Sequence, residues 1–180
     1  MSNNTPSHCP LGNRLVVMGN AGSGKSHLAQ TISLRFGIPT LSLDAWFWTD
    51  VKFTAKRDTG EVLALIESHK VEQQWIAEGV FGEFIERFLD RTETLVWLDL
   101  DWETCRDSIQ ARWDATTDRS PHLVKSFAQL MTYAGDYWTR TDGRSWEGHR
   151  RLFEVFSGRK WHLHSRAEAD AFLARYLAVG

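Results

Sequence analysis

The chain has little cysteine, no excess charge of either sign and no long apolar run. Its two cysteines, Cys9 and Cys105, allow neither a disulfide framework nor a thiolate zinc site within 180 residues. A net charge of -2 is a poor basis for nonspecific binding to nucleic acid or an anionic membrane. No apolar run approaches the ~18 residues that a membrane span needs, and no signal-peptide pattern opens the chain. These absences predict a cytoplasmic protein that binds no membrane and is not expected to bind nucleic acid directly.

Short apolar runs alternate with helical patterns. Strands are predicted at 14–18, 40–43, 74–77, 94–98 and 160–163, and helices at 25–36, 61–71, 83–89, 102–113, 121–138, 146–156 and 165–177. Strands separated by helices imply right-handed crossovers and a mostly parallel sheet with helices on both faces. Ligands then bind beyond the carboxyl ends of the strands. We expect residues 1–13 to be a flexible leader and residues 14–180 to form a single α/β domain.

The stretch GNAGSGKS satisfies the pattern G-x-x-x-x-G-K-S/T between a predicted strand and a predicted helix. Its glycines permit the backbone to curl so that successive N–H groups point inward, and the helix N-terminus adds partial positive charge. The loop predicts a nucleotide phosphate site. The residues expected to hold the nucleotide are Gly19, Asn20, Ala21, Gly22, Ser23, Gly24, Lys25, Ser26 and His27.

Within this loop, two side chains have distinct predicted roles. Lys25 would reach the β- and γ-phosphates, and the Ser26 hydroxyl would bind a magnesium ion that bridges them. The sequence therefore predicts ATP and Mg²⁺ as cofactors, with ATP against GTP left open. A Ras-type GTPase is disfavoured because N-K-x-D is missing, and a ring-forming ATPase would need a longer chain.

Four segments together resemble the small P-loop kinases related to adenylate, gluconate and shikimate kinases. They are GNAGSGKS, LSLDAWFW (41–48), WIAEGVF (75–81) and TLVWLDL (94–100). Within that family, the chain looks most like the adenylate kinase-related group labelled "DNA topology modulation" proteins. The resemblance implies a three-layer α/β/α P-loop NTPase fold with a five-stranded parallel sheet in the order 2-3-1-4-5. It also implies an acceptor-binding insert at about 44–73, a helical lid at about 106–122, and transfer of the ATP γ-phosphoryl group.

Two carboxylates are candidates at the predicted edge of the sheet. Asp44 follows the second strand, where a carboxylate could orient an acceptor hydroxyl and take its proton, as in shikimate kinase-like members. Glu78 ends the third strand where relatives have Asp-Gly to hold magnesium through water, although Glu is one methylene longer. A capping or backbone-bonded role is the alternative for each. Asp99 ends the run LVWLD, but the fourth strand in this family usually lies away from the metal.

Cations over the transferring phosphoryl group are expected from the lid. Arg112 matches the second arginine of the R-x-x-x-R pattern of adenylate kinase relatives, whereas the first position is Ser108, and Arg119 lies further into the predicted lid. Arg112 and Arg119 are therefore candidate catalytic residues, with solvated surface positions as the alternative. Arg150 and Arg151 are more typical of a solvated helix face.

The remaining candidates leave alternatives open. Trp46, Phe47 and Trp48 either wall an acceptor pocket or pack in the core under the insert. His162 and His164 alternate on one face of the last strand, but with no third ligand evident, structural or surface roles are favoured over a metal pair.

These patterns predict an ATP- and Mg²⁺-dependent phosphotransferase whose acceptor is a small hydroxyl-bearing metabolite or a nucleotide. The alternatives are a nucleotide-binding regulatory or DNA-associated protein without kinase activity, and a protein of the same fold that binds nucleotide without catalysis. The partners expected are ATP and an unidentified acceptor, with the chain a monomer or homodimer.

Overall fold

Five strands form one parallel sheet in the computed structural model, which describes residues 9–49 and 55–177. In chain order they are β1 (Arg14–Gly19), β2 (Thr40–Ser42), β3 (Trp75–Gly79), β4 (Thr94–Leu98) and β5 (Arg159–Leu163). Their spatial order is β2-β3-β1-β4-β5, which confirms the predicted order. The central β1 pairs with β3 on one side and β4 on the other, so the loop after β1 emerges between two neighbouring strand ends.

Eight α-helices connect and follow the strands within the described residues. They are α1 (Lys25–Phe36), α2 (Leu43–Phe47), α3 (Thr59–Lys70), α4 (Gly82–Ile85), α5 (Trp102–Ala115), α6 (Pro121–Gly135), α7 (Trp146–Val155) and α8 (Arg166–Leu177). Single 3₁₀ turns continue α4 at Glu86–Phe88 and α6 at Asp136–Trp138. None of the described helices is long and apolar enough to cross a bilayer.

Alternation along the strands divides the core into two clusters, one on each face of the sheet. In β1, Val16 and Met18 pack on the face covered by α3, α4 and α7, whereas Leu15 and Val17 pack on the face covered by α1 and α8. All four side chains have no exposed surface. Burial on both faces explains why these strands read as continuous apolar runs, and it produces the three-layer arrangement.

Two boundaries differ from the sequence predictions. β2 ends at Ser42, and the residues from Leu43 to Phe47 form a short helix, so Asp44 lies in the first helical turn instead of a loop. Part of the expected leader is core, because Cys9 is 2% exposed and Leu11 is 1% exposed. Residues 1–8 of that leader and 50–54 of the expected insert lie outside the described residues. Of the expected lid, 106–115 belong to α5, and 116–120 connect it to α6.

Candidate active site

The loop between β1 and α1 has the backbone of an anion-binding nest. Gly22 and Gly24 have φ angles of +82° and +93°, which residues with a side chain rarely adopt. Gly24 caps α1 with no side-chain hydrogen bond, so the first amides of that helix remain available to a ligand. The Ser23 hydroxyl is buried and has no partner among the described residues. A phosphate oxygen in the loop would satisfy these donors.

Asn20 fixes the loop to the rest of the molecule. Its side chain is 1% exposed, and its Nδ2 donates to the Ala134 carbonyl of α6 at 2.9 Å. Its Oδ1 accepts from the Ala21 amide at 2.8 Å. A buried asparagine with both ends bonded is strongly held in place, so it sets the start of the loop against α6.

Lys25 and Asp44 form a buried ion pair at the mouth of this loop. Lys25 Nζ lies 3.0 Å from Asp44 Oδ2, and their side chains are 8% and 27% exposed. Burial alone would lower the pKa of Lys25, but the negative charges of Asp44 and Glu78 outweigh it and raise that pKa. Lys25 is therefore a fixed ammonium group beside a carboxylate. The structure thus brings together two residues that the sequence predicted separately.

The second oxygen of Asp44 is held by the backbone after β3. Asp44 Oδ1 accepts from the Val80 amide at 2.9 Å. The carbonyl of Val80 in turn accepts from His149 Nε2 at 3.0 Å, and His149 Nδ1 accepts from the Tyr137 hydroxyl at 2.7 Å. Burial lowers the pKa of His149 to about 4, so the ring is neutral at pH 7, in keeping with one donating and one accepting nitrogen.

Glu78 lies near the end of β3, beside Ser26 of the phosphate loop. It is 4% exposed, and its Oε2 accepts from the Ser26 hydroxyl at 3.0 Å. A carboxylate and a hydroxyl, both hard oxygen donors, therefore meet beside the phosphate loop. The same hydrogen bond also orients the Ser26 oxygen.

The two predicted lid arginines differ in position. Arg112 is exposed on α5, and its positive charge opposes the rise in the pKa of Lys25 as the smallest of the named influences. Arg119 instead lies over the Trp113 ring, with its guanidinium carbon 4.3 Å from the ring centroid, and donates to the Thr116 carbonyl. Arg119 therefore packs against the end of α5 and the segment that connects it to α6.

A cleft beside the loop runs between α1 and α8. Its lining residues include Gly24, His27, Leu28, Leu98 and Arg166. Ser108, at the position where the lid pattern would have its first arginine, accepts a hydrogen bond from Arg166 of α8. An arginine from a different helix therefore occupies the region where sequence analysis found one missing.

Arg144 and aromatic side chains pack together at α2, the short helix that carries Asp44. The Arg144 guanidinium carbon lies 4.4 Å from the Phe81 ring centroid and 5.0 Å from that of Phe47, and Arg144 Nε donates to Glu83 Oε1 at 2.6 Å. Close by, the Tyr133 hydroxyl is buried with no partner among the described residues. Burial raises the pKa of Tyr133 to about 12, with Arg140, Arg144 and Asp44 as the charges acting on it.

Sequence analysis missed Tyr133, Arg144 and His149. They follow no motif spacing, and packing from the last third of the chain brings them to Asp44. Of the three aromatic residues that follow Asp44, Phe47 is 5% exposed and belongs to the core, whereas Trp46 and Trp48 are partly buried against it.

Two other charged candidates, Asp99 and Arg150, have partners outside the phosphate loop. Asp99 Oδ2 accepts from Trp146 Nε1 at 3.0 Å and pairs with His162 Nε2 at 2.9 Å. Arg150 forms ion pairs with Glu147 and Glu154 on its own helix, as expected of a solvated helix face.

The residues present fit a nucleotide with magnesium. The unpartnered Ser23 hydroxyl, the open amides of α1 and the Lys25 ammonium suit phosphate oxygens. The Ser26–Glu78 pair suits a hard divalent cation.

Solved structures of small kinases share this fold. A shikimate kinase from Acinetobacter baumannii has a TM-score of 0.53 at 10% identity over 93% of this chain and 94% of its own. A gluconokinase from Sinorhizobium meliloti 1021 has a TM-score of 0.53 at 18% identity over 93% and 95%. A shikimate kinase from Bacteroides thetaiotaomicron has a TM-score of 0.51 at 12% identity over 91% and 95%.

No protein-family profile matches the chain, and no curated protein matches its sequence. The resemblance to the "DNA topology modulation" group therefore stays a prediction. At identities this low, the likeness to solved structures shows a shared architecture, and the chain has the P-loop kinase fold.

Proposed function

We propose that the chain is a small-molecule kinase that transfers the γ-phosphoryl group of ATP to a hydroxyl group. The observation that carries this proposal is the 3.0 Å pair between Lys25 Nζ and Asp44 Oδ2 at the mouth of the phosphate loop. A cation for the phosphoryl group and a carboxylate for the attacking hydroxyl are the two side chains that such a transfer needs close together.

The loop and Lys25 bind the phosphates. Amides between Gly22 and Ser26 together with the Ser23 hydroxyl donate to phosphate oxygens, and Lys25 moves from Asp44 towards the γ-phosphate. Ser26 and Glu78 would hold Mg²⁺, which supplies charge neutralisation between the β- and γ-phosphates. Arg112 on α5 would add a second positive charge over the transferring group. The cleft with His27 and Arg166 would take the base.

Asp44 acts as the acceptor's base. Once Lys25 has turned to the phosphate, Asp44 Oδ2 can accept a hydrogen bond from the acceptor hydroxyl and take its proton as the oxygen bonds to phosphorus and the ADP oxygen leaves. The Val80 amide holds Asp44 Oδ1 at 2.9 Å, so the carboxylate is oriented before the acceptor arrives. Such preorganisation lowers the cost of reaching the reactive geometry.

The acceptor would lie against Phe81, Arg144 and Tyr133. The buried Tyr133 hydroxyl and the second oxygen of Glu83 both have no partner among the described residues, so a polar ligand would satisfy them. Aromatic faces with a few polar groups are typical of pockets for small polar metabolites. Shikimate and gluconate, suggested by the names of the structural neighbours, are the first acceptors to test.

The test compares two variants in assays of phosphoryl transfer from ATP to a panel of hydroxyl compounds that begins with these two. We expect Lys25→Met to lower turnover by ~10²–10³-fold, because a preorganised cation at the developing charge is lost. Asp44→Asn should lower transfer by ~10²–10⁴-fold while ATP affinity stays near that of the parent.

Asp90→Asn is the matched control for Asp44→Asn, because Asp90 is 59% exposed and pairs only with Lys70 on the surface among the described residues. It should leave transfer unchanged. Transfer at the parental rate by folded Lys25→Met or Asp44→Asn protein would rule out the proposed roles, and ATP binding without transfer to any acceptor would favour the noncatalytic alternative.

A further inference from the structure

A second cluster of potential ligands lies at the carboxyl ends of β4 and β5. Asp99 directly follows β4, and its amide donates to the Leu163 carbonyl at 2.8 Å. His162 and His164 lie two residues apart at the end of β5, so their side chains point to the same face as Asp99. One ligand atom from each of the three residues lies within 4.8 Å of the other two.

The distances suit one small metal ion. Asp99 Oδ2 lies 2.9 Å from His162 Nε2 and 3.9 Å from His164 Nδ1. Metal–ligand bonds of about 2.0–2.2 Å in a tetrahedral site place ligand atoms roughly 3.4 Å apart. These two separations lie on either side of that value, and the third is no longer than 4.8 Å, so shifts of the two rings would bring all three atoms to one ion.

A simple hydrogen bond explains only part of this arrangement. His162 can bond to Asp99, but His164 Nδ1 at 3.9 Å is beyond hydrogen-bond range of the same oxygen. The His164 ring nevertheless lies against that of His162, with centroids 3.9 Å apart. Two imidazole rings converge on one carboxylate oxygen, as they would if all three groups bound one metal ion.

Neighbouring side chains hold two of the three groups in place. Trp146 Nε1 donates to Asp99 Oδ2 at 3.0 Å, and the His162 ring stacks on Trp97 with centroids 4.1 Å apart and planes 6° apart. Such outer contacts orient metal ligands in proteins. The Asp99 and His164 side chains are 11% and 57% exposed, so the cluster opens to solvent on the His164 side, where water can complete the coordination.

We propose that Asp99, His162 and His164 bind one divalent transition-metal ion of the zinc class. Two imidazoles and one carboxylate favour Zn²⁺ or a similar ion over Mg²⁺, which prefers oxygen ligands. The ion would join the ends of β4 and β5 beside Trp146 of α7. This site is separate from the Ser26–Glu78 pair and does not depend on kinase activity.

The test uses Co²⁺ as a spectroscopic probe and Zn²⁺ in calorimetry, on full-length protein freed of affinity tag and treated with a chelator. We expect the parent to bind one equivalent of Zn²⁺ and to show the visible absorption of cobalt in a site of low coordination number. His164→Ala should weaken binding at least tenfold, since one of three protein ligands is lost, and the exposed position of His164 should leave the fold intact.

His122→Ala is the matched control, because His122 lies on α6 with a bond to Ser120 and should leave affinity unchanged. Asp99→Asn should also weaken binding, with circular dichroism as the check on its fold. To keep the phosphate loop from contributing, the titrations are repeated in Glu78→Gln. Failure of the parent to bind at tens of micromolar metal, or equal affinity in folded His164→Ala protein, would overturn the proposal.

Discussion

At the residue scale, the Ser26–Glu78 contact supports the proposed magnesium site. Glu78 is one methylene longer than the aspartate that the family resemblance implies at this position, yet its Oε2 reaches the Ser26 hydroxyl at 3.0 Å. The longer side chain is therefore compatible with the same position. The sequence alone does not show whether the Glu78 carboxylate reaches Ser26, because that distance depends on how β3 packs against α1.

We predict that Glu78→Gln raises the Mg²⁺ concentration needed for half-maximal activity, because one anionic oxygen donor is replaced by a neutral amide. Measuring activity against free Mg²⁺ at saturating ATP gives this value. Glu147→Gln, which alters a partly exposed carboxylate on α7, is the control and should keep the parental value. An unchanged Mg²⁺ requirement in Glu78→Gln would remove Glu78 from the metal site.

The protonation of His149 is expected to make the free energy of unfolding depend on pH. Burial, assisted by the positive charges of Lys25 and Arg140, lowers its pKa to about 4 from the ordinary 6.5 and outweighs the hydrogen bond to the Val80 carbonyl and the negative charge of Asp44, which raise it. In the unfolded chain the ring takes up a proton below about pH 6.5, whereas in the folded chain it does not until about pH 4. Its contribution to stability is therefore present above pH 6.5 and is lost as the pH falls towards 4.

We predict that the parent loses about 2 kcal/mol of unfolding free energy from this group between pH 7 and pH 5. His149→Gln removes the titrating ring, so its unfolding free energy should fall less over the same interval. Urea unfolding at the two pH values measures the difference. An equal fall in both proteins would show that His149 is not buried in its neutral form.

At the element scale, the phosphate loop is packed against the helix that follows β4. A Cβ on Gly22 would lie 2.3 Å from the Cys105 carbonyl oxygen of α5, whereas a Cβ on Gly24 would meet nothing within 4 Å. Both glycines have positive φ, so alanine at either position is strained by ~1–2 kcal/mol. Only Gly22 adds a backbone collision to that strain.

We predict that Gly22→Ala destabilises the fold more than Gly24→Ala, since the loop or α5 must move to admit the methyl group. Urea unfolding of both variants at pH 7.5 measures the two losses. Gly24→Ala is the built-in control because it shares the left-handed conformation without the collision. Equal losses would mean that the loop does not pack on α5 as described.

The short helix after β2 could not be predicted from the local sequence pattern. Leu43 is predicted as the last residue of the second strand, yet Leu43–Phe47 forms a short helix. Its backbone direction is set by the bond from the Val80 amide to Asp44 and by packing of Phe47 on Phe81, with ring centroids 4.4 Å apart. Both contacts come from residues more than thirty positions away, so no local signal contains them.

At the scale of the whole molecule, the alternation of apolar runs with helical patterns predicted the strands, and the family resemblance implied their order; both are confirmed. Lys25, Ser26, Asp44 and Glu78 were assigned from the phosphate-loop motif, from positions at the carboxyl ends of adjacent parallel strands and from the resemblance, and their roles stay predictions. The positions of Tyr133 and Arg144 could not be predicted, since they depend on how α6 and the segment before α7 pack across the sheet. Arg119 was assigned from its place in the lid, whereas its contact with Trp113 arises from local folding of that connection.

The Lys25–Asp44 pair also predicts an order of substrate binding. While the two groups are paired, Asp44 Oδ2 is engaged with Lys25, and nucleotide frees it by drawing Lys25 to the phosphates. We expect a non-hydrolysable ATP analogue with Mg²⁺ to tighten acceptor binding by about tenfold or more, within the usual range of coupling between sites. Calorimetric titration of acceptor with and without the analogue measures this, and equal affinity in both would contradict it.

The buried series of hydrogen bonds from Tyr137 through His149 and Val80 to Asp44 limits how this chain can be recombined with others. A chimera that kept the first hundred residues and took its remaining helices from another protein of this fold would retain the glycine loop. It would lose the His149 imidazole, which donates to the Val80 carbonyl and so keeps the Val80 amide in place to bond Asp44. Engineering a new acceptor preference is therefore better attempted by replacing single residues around Arg144 than by exchanging the C-terminal third.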